Sequence, residues 1–161
     1  MANTFYVKIE GATQGAIQGD CVQTGREDLI VGYKFEERST IPRHADTGQP
    51  TGSRVHHPIR FTKHVEKSSP KLWQAMTTGE RLPVVRFDFY KINEEGVNEN
   101  YYSIELEQAI IVEMAAELKD TAETTETLAE EMLEHVALSY RKIRWIHNID
   151  TVEAEDDWNQ R

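Results

Sequence analysis

Six histidines and a single cysteine are the side chains of this chain best suited to metal binding or nucleophilic chemistry. His56 and His57 are adjacent, so they would point to opposite faces of a strand, and His135 and His147 lie twelve positions apart. Zinc sites bring three or four ligands to one point, usually from short spacings. The histidine spacing therefore predicts no metal site, and Cys21, which has no second thiol, predicts no disulfide.

Signatures of catalysis are also missing from the sequence. The chain lacks the GxSxG, HExxH, CxxC and glycine-rich phosphate-loop motifs. Carboxylate pairs such as Glu36–Glu37 and Asp156–Asp157 lie in charge runs rather than beside an apolar stretch that would form a pocket wall. We therefore predict no catalytic residue and no cofactor, and a role other than that of an enzyme.

Charge is distributed unevenly along the 161 residues. Residues 1–91 hold 13 Lys and Arg against 10 Asp and Glu, whereas residues 92–161 hold 5 against 18. Nucleic acids and anionic lipids are bound through clusters of Lys and Arg, so the net charge of −10 argues against both partners. No apolar run approaches the roughly 18 residues of a membrane span and no signal peptide opens the chain. We expect a protein made in the cytoplasm, with no membrane insertion.

The stretch 39–56 interrupts the regular pattern with two prolines and two glycines and predicts an extended loop. A long loop inside a compact domain usually carries an interaction. This one is basic, so it could meet acidic groups of a second copy, whose surplus of Asp and Glu lies after residue 91. The candidate interface residues in and beside the loop are Arg38, Ser39, Arg43, His44, Arg54 and His56.

Alternating apolar residues predict the strands that hold this loop. Period-2 patterns at 5–9, 29–36, 59–65, 85–89 and 102–114 predict half-buried strands, with Tyr33 and Val65 on core faces, and Gly96 predicts a hairpin turn. The alternation in 136–145 shifts after Tyr140, which predicts a one-residue bulge. The candidate core residues are Phe5, Val7, Ile59, Phe61, Leu72, Met76, Phe87, Phe89, Ile104, Leu106 and Trp145.

One short helix is predicted at about residues 70–78. Ser69 suits the N-cap, Pro70 suits the first turn, and Gly79 can end the helix. Leu72 and Met76 lie on one apolar stripe, and a helix of this length is stable only when such a stripe packs on a sheet.

Acidic residues dominate the remaining segments. Residues 113–134 predict an acidic connector with at most a helical turn, and 151–161 predict a short, solvated acidic tail. Residues 1–150 are the length of a single domain. From pattern alone we predict a mainly β fold, an antiparallel barrel or sandwich with one flanking helix, and an overall tendency to self-associate.

Several segments carry a family resemblance. They are HPIRFTK at 57–63 with the helix and strand that follow as far as Tyr90, the opening MANTFYVKIEG at 1–11, and VALSYRKIRWIHN at 136–148. Together they resemble the Hcp family, the tube protein of bacterial type VI secretion systems. The resemblance covers roughly residues 1–148.

The resemblance implies a closed antiparallel β barrel of two packed sheets, related to phage tail tubes. It also implies a homohexameric ring around a channel, with rings stacked head to tail into a tube. The loop residues above would then be ring-stacking residues. The implied partners are other copies of the chain, a spike protein at the tube tip, a contractile sheath, and small effector proteins in the channel. Secretion would proceed through this apparatus without a signal peptide.

Other interpretations stay open at this point. A monomeric β barrel could hold a small ligand, and a phage-like tail tube subunit would share the fold. A small secreted enzyme is disfavoured because no catalytic constellation is present. The mass in solution separates a monomer from a ring.

Overall fold

Six long strands close on themselves because each has one apolar face that must be buried. The computed structural model describes residues 4–119, 122 and 132–158. In chain order the elements are β1 Phe5–Gly11, β2 Gly15–Ile17, β3 Ile30–Glu36, β4 Ser39–Thr40, β5 Val55–His56, β6 Ile59–His64, α1 Ser69–Thr78, β7 Leu82–Ile92, β8 Asn98–Glu117, β9 Leu133–Ser139, β10 Lys142–His147 and β11 Val152–Asp157.

The strands of the barrel follow the order β8-β7-β1-β3-β6-β9, and pairing between β9 and β8 closes the barrel. All of these pairings are antiparallel. β10 and β11 extend the sheet beyond β8, and β4 pairs with β5 in a separate two-stranded sheet. The prediction of a closed antiparallel barrel with one short helix is confirmed.

Aromatic rings fill the centre of the barrel. The Phe87 side chain is fully buried, and its ring lies 5.2 Å from that of Phe35 and 5.5 Å from that of Phe61, centroid to centroid. Of the expected core residues, the structure buries Phe5, Val7, Ile59, Phe61, Leu72, Phe87, Ile104 and Leu106. Met76, Phe89 and Trp145 are partly buried and pack against this cluster.

β3 departs from the expected alternation. Its buried positions are Ile30 and Gly32, and a register shift then follows, so Phe35 turns inward while Tyr33 is exposed. A Cβ atom at Gly32 would lie about 2.0 Å from the Phe5 ring, so only glycine lets that ring rest on the backbone of β3. The expectation that Tyr33 faces the core is wrong for this reason.

β6 carries a fully buried lysine at the end of its core face, after Ile59 and Phe61. Lys63 and Glu134 are direct cross-strand partners on β6 and β9, and Lys63 Nζ lies 3.1 Å from Glu134 Oε1. Lys63 Nζ also donates to Ser69 Oγ (2.9 Å) and to the His64 carbonyl (3.0 Å). The Trp73 indole N–H donates to the other oxygen of Glu134 (3.2 Å). The expected core face ends here, since Val65 is exposed.

The helix α1 is positioned by this polar cluster and by its apolar stripe. Its bounds agree with the prediction, although the N-cap is Ser68, one residue before the expected Ser69. Leu72 and Ala75 are buried, and Gly79 ends the helix with φ 67°, a left-handed conformation that glycine adopts at little cost.

β8 is a single long strand that pairs with both β9 and β10 along the same edge. The register is unbroken from the Ile110–Ser139 pair on β9 to the Glu107–Lys142 pair on β10, so the one-residue bulge expected after Tyr140 is absent. A register shift lies instead on β8, between Ile111 and Glu113. The alternation of buried and exposed residues shifts at the same level on β8 and on the segment opposite it. The buried positions pass from Leu106 to Ala109 on β8 and from Tyr140 to Ile143 opposite, with Gln108 at φ 53° between them.

Two expectations for the acidic segments are corrected. β8 continues to Glu117 and β9 begins at Leu133, so both ends of the expected connector 113–134 are strand; residues 120–121 and 123–131 lie outside the described residues. The expected acidic tail contains β11, which pairs with β10 over its whole length. Lys142 and Arg144 on β10 approach Glu155 to 3.3 and 3.6 Å. These basic partners offset the negative charge of β11 that made the sequence predict a solvated tail.

Removing one partner of the buried Lys63–Glu134 pair should cost about 3–5 kcal/mol of unfolding free energy, because the other charge stays buried and keeps only weaker partners: Glu66 at 3.9 Å for Lys63, and the Trp73 N–H for Glu134. We expect this of Lys63→Met and of Glu134→Gln, each measured by urea unfolding. The double variant should be more stable than the sum of the two losses predicts.

The exposed pair Lys67–Asp28, 3.3 Å apart, is the matched control. Lys67→Met and Asp28→Asn should each cost less than about 1 kcal/mol because water screens exposed pairs. Additive losses for the buried pair, or single losses as small as those of the control, would contradict this account.

Candidate functional site

Residues 38–57 form a projecting hairpin, here called the arm. The sequence predicted an extended loop, but backbone hydrogen bonds join its two sides at three levels: from His57 to Arg38 (2.9 Å), from Thr51 to Pro42 (2.8 Å) and from His44 to Gln49 (2.8 Å). At the tip, the Gly48 N–H donates to the His44 carbonyl (2.8 Å), with Gly48 at φ 72°. The arm is therefore an ordered two-stranded ribbon.

The charged side chains of the outer part of the arm are exposed to solvent. Every residue from 38 to 53 is exposed. Arg38 and Arg43 form no ion pair with any residue in the described part of the chain, and the His44 ring accepts only the Asp46 N–H (3.3 Å). The exposed surface is therefore basic, with Asp46 as its one acidic side chain.

Arg54, at the base of the arm, is already engaged within its own subunit. Its Nε and one terminal nitrogen donate to the two carboxylate oxygens of Asp156 on β11 (2.6 and 2.8 Å). The same terminal nitrogen donates to the Asp157 carbonyl (2.9 Å). This forked contact is the strongest geometry available to an arginine and a carboxylate.

His56 completes the same cluster from below. It is buried at 6% exposure, its Nε2 lies 2.6 Å from Asp156 Oδ2, and its Nδ1 lies 3.0 Å from the Tyr140 hydroxyl and 3.1 Å from the Ser39 hydroxyl. The Trp158 ring packs edge-on against it at 5.5 Å. His56 therefore joins the arm to Tyr140, which follows β9, and to β11, and presents no surface to a second subunit.

The other base of the arm is held by a second contact. Glu37, the residue before the arm, accepts a hydrogen bond from the Trp145 indole N–H on β10 (2.8 Å). Both bases of the arm are thus attached to the hairpin formed by β10 and β11.

Electrostatics at the base keep the carboxylate charged and the phenol neutral. The hydrogen bonds from Arg54 lower the pKa of Asp156 below its ordinary value, and the hydrogen bond from His56 acts in the same direction. Burial raises the pKa of Tyr140 well above its ordinary value. Both groups therefore keep these protonation states throughout the neutral pH range.

The six candidate interface residues divide into two groups. Arg38, Arg43 and His44 are exposed along the arm and face outward as an interface requires. Ser39, Arg54 and His56 instead contact the cluster at the base of the arm. Sequence reasoning missed Asp156, the centre of that cluster, because nothing in the acidic run separates it from its neighbour Asp157.

The arm and the helix lie at opposite rims of the barrel. Antiparallel strands alternate between two rims, so the β3–β6 connection that forms the arm shares a rim with the β7–β8 turn, while α1 lies at the other rim. Asp20, Glu66 and Glu80 lie at the rim of α1, together with Lys67 and Lys71. Glu117 and Met132, which border the segment between β8 and β9, also lie at that rim. Residues 120–131 of this segment, here called the acidic connector, contain five acidic and no basic side chains.

No cluster of three or more His, Cys, Asp or Glu side chains positioned to hold a metal ion occurs among residues 4–119, 122 and 132–158. In the same part of the chain no helix has the length and apolar character needed to cross a membrane.

The architecture defines a class of protein: a closed antiparallel barrel with an arm at one rim and a short helix at the other. Solved structures share it over the whole chain. A crystal structure of Hcp protein matches with a TM-score of 0.90 and 33% identity, covering 99% of this chain and 100% of that one. The Hcp1 protein from the E. coli EAEC 042 pathovar matches with a TM-score of 0.86 and 31% identity, covering 98% and 99%.

The chain belongs to the Hcp family, described as "Type VI secretion system effector, Hcp", whose pattern matches residues 6–147. A relative from Pseudomonas aeruginosa, named "Major exported protein", is 37% identical over 167 aligned positions, which cover 98% of this chain and 96% of that one. The family resemblance stated from the sequence is confirmed. The protein is a type VI secretion protein, and its family is not one of known enzymes.

The Asp156 carboxylate should titrate below its ordinary pKa of 3.8 because Arg54 donates to both of its oxygens. A depressed pKa stabilises the folded state above the unfolded-state pKa, and this contribution is lost as the pH falls through the lower, folded value. Carboxyl chemical shifts followed by NMR between pH 7 and pH 2 measure the midpoint.

Arg54→Gln should raise that midpoint. Arg141→Gln is the matched control, because Arg141 faces the neighbouring Asp157 at 3.7 Å, and it should change the midpoint much less. Equal shifts from both variants, or a wild-type midpoint above 3.8, would contradict the assignment.

Proposed function

We propose that this protein is the subunit of a type VI secretion inner tube. Six copies close into a ring around a channel, and rings stack head to tail into a tube. A contractile sheath expels the tube behind its spike protein, and the channel carries small effector proteins. The role is mechanical and needs no catalytic residue or cofactor.

The observation that carries this proposal is the chemical difference between the two rims. One rim projects a basic arm, and the other joins the acidic connector to the barrel. A contact between two different surfaces of the same chain is heterologous, and a heterologous contact along an axis repeats without limit. Two such contacts are needed for a tube, one that closes the ring and one that stacks it.

Charge complementarity supports the arm as the stacking element. Arg38 and Arg43 are exposed and lack a partner within the described residues, so a neighbouring ring can supply one. Complementary charges across an interface also fix its orientation, because two arms would repel each other. This favours head-to-tail stacking over head-to-head stacking.

The assembled protein should have the mass of a hexamer. Six copies of the 18.6 kDa chain amount to about 112 kDa, measured by light scattering or native mass spectrometry. A monomer at all concentrations would contradict the ring and would favour the alternative, a monomeric barrel that binds a small ligand.

Reversing the exposed charges of the arm should prevent stacking without opening the ring. We expect Arg38→Glu with Arg43→Glu to give hexamers by light scattering but no tubes by electron microscopy, since the two contacts use different surfaces. Arg54 is left unchanged because it binds Asp156 within the subunit.

The matched control is Arg38→Lys with Arg43→Lys, which keeps both positive charges and should still form tubes. Raising the salt concentration should weaken tubes before rings, because exposed charges are screened over about 10 Å at 0.1 M ionic strength. Normal tubes from the Glu variant would exclude the arm charges from stacking.

A further inference from the structure

We propose that the C-terminal strand β11 is a clamp that fixes the direction of the arm, and that Asp156 is its positioning residue. The effect of the clamp on ring stacking rests on the proposed function above. The effect of the clamp on the arm does not.

The arm cannot hold its own direction. It is a two-stranded ribbon whose outer residues, 38–53, are all exposed, so no apolar face packs it against the barrel. An isolated two-stranded hairpin is marginally stable in water. Its orientation must therefore be set by contacts at its base.

The contacts at the base lead to one element. Arg54 and His56 both bind Asp156 on β11, and Glu37 binds Trp145 on β10. Because the carboxylate receives the forked arginine and the imidazole together, one side chain of β11 holds two positions of the arm. The contact is charge-assisted and partly shielded from water, with Asp156 at 26% side-chain exposure.

β11 contributes little else to the fold. The barrel closes through β8 and β9 without it. Residues 152–155 of β11 are exposed, and no residue of this strand belongs to the buried apolar cluster. The interactions that distinguish this strand are therefore those with the arm and the ion pairs to β10.

The His56 imidazole is held at both of its nitrogens. His56 Nε2 faces the carboxylate, whereas Nδ1 faces the hydroxyls of Tyr140 and Ser39, which can donate or accept. The other charged groups around the cluster are Arg54, Asp157 and Glu37. Both ring nitrogens of His56 therefore have partners in the cluster, and the imidazole joins the arm to Asp156 and to Tyr140.

A loosened arm would dock less well, because an interface must then order it before contacts form. Hydrogen–deuterium exchange followed by NMR tests this directly in the full-length chain. In Asp156→Asn, the arm amides of His44, Thr51 and His57 should exchange about tenfold faster or more, because their hydrogen bonds open more often. Amides in β1 and β7 should keep their wild-type rates.

Glu153→Gln is the matched control, since it removes a carboxylate from the same strand at an exposed position away from the arm. It should leave the arm amides unchanged. Arg54→Gln breaks the same contact from the other side and should reproduce the effect of Asp156→Asn, which keeps the test informative if one variant folds poorly.

Tube assembly gives the second readout. Asp156→Asn rings should keep their hexameric mass but need about a tenfold higher concentration to form tubes, since a loss of this size corresponds to about 1.4 kcal/mol. Arm amides that exchange at wild-type rates would overturn the clamp. Faster exchange with unchanged tube assembly would overturn its control of stacking, and wild-type rings that never stack would instead contradict the proposed function.

Discussion

The buried ion pair between Lys63 and Glu134 is the interaction on which the barrel depends. The two residues stand opposite each other on β6 and β9, next to the seam where β9 returns to β8. Two charges lose their hydration here, and their mutual attraction, together with the hydrogen bonds around them, offsets that cost. A slip of one residue would turn one charge outward and leave the other alone in the core. The pair therefore specifies the register that closes the barrel, and through Ser69 and Trp73 it also fixes the helix.

Alternation along the chain predicted the barrel strands, the β7–β8 hairpin and the helix because in each of them apolar burial alone decides the conformation. It failed where another interaction decides. Gly32 admits the Phe5 ring and shifts the register of β3, and Lys63 is a charged residue on an inward face. β11 was missed because an edge strand with acidic side chains has the composition of a solvated tail, and its partners lie on another strand. The exposed residues of the arm were identified by sequence, whereas its anchor on Asp156 depends on contacts across about a hundred residues.

The barrel and the arm are held rigid in different ways. The barrel is rigid because its sheet is closed, its core is packed with aromatic side chains, and the Lys63–Glu134 ion pair is buried. The direction of the arm is set by its contacts with the hairpin of β10 and β11. Forces applied to the arm would pass into β10, which pairs with β8, and from there into the barrel wall.

The exposure of residues 38–53 has a consequence for how such chains diverge. No side chain of that segment contributes to the core, so apart from Ser39 and Gly48 its sequence is free to change at little cost to folding, provided that Glu37 and Arg54 keep their anchors on either side. Contact chemistry can therefore drift between lineages while the barrel stays constant. Two co-resident versions of the protein whose arms differ would then stack only on rings of their own kind, which would keep two populations of tubes apart in one cell.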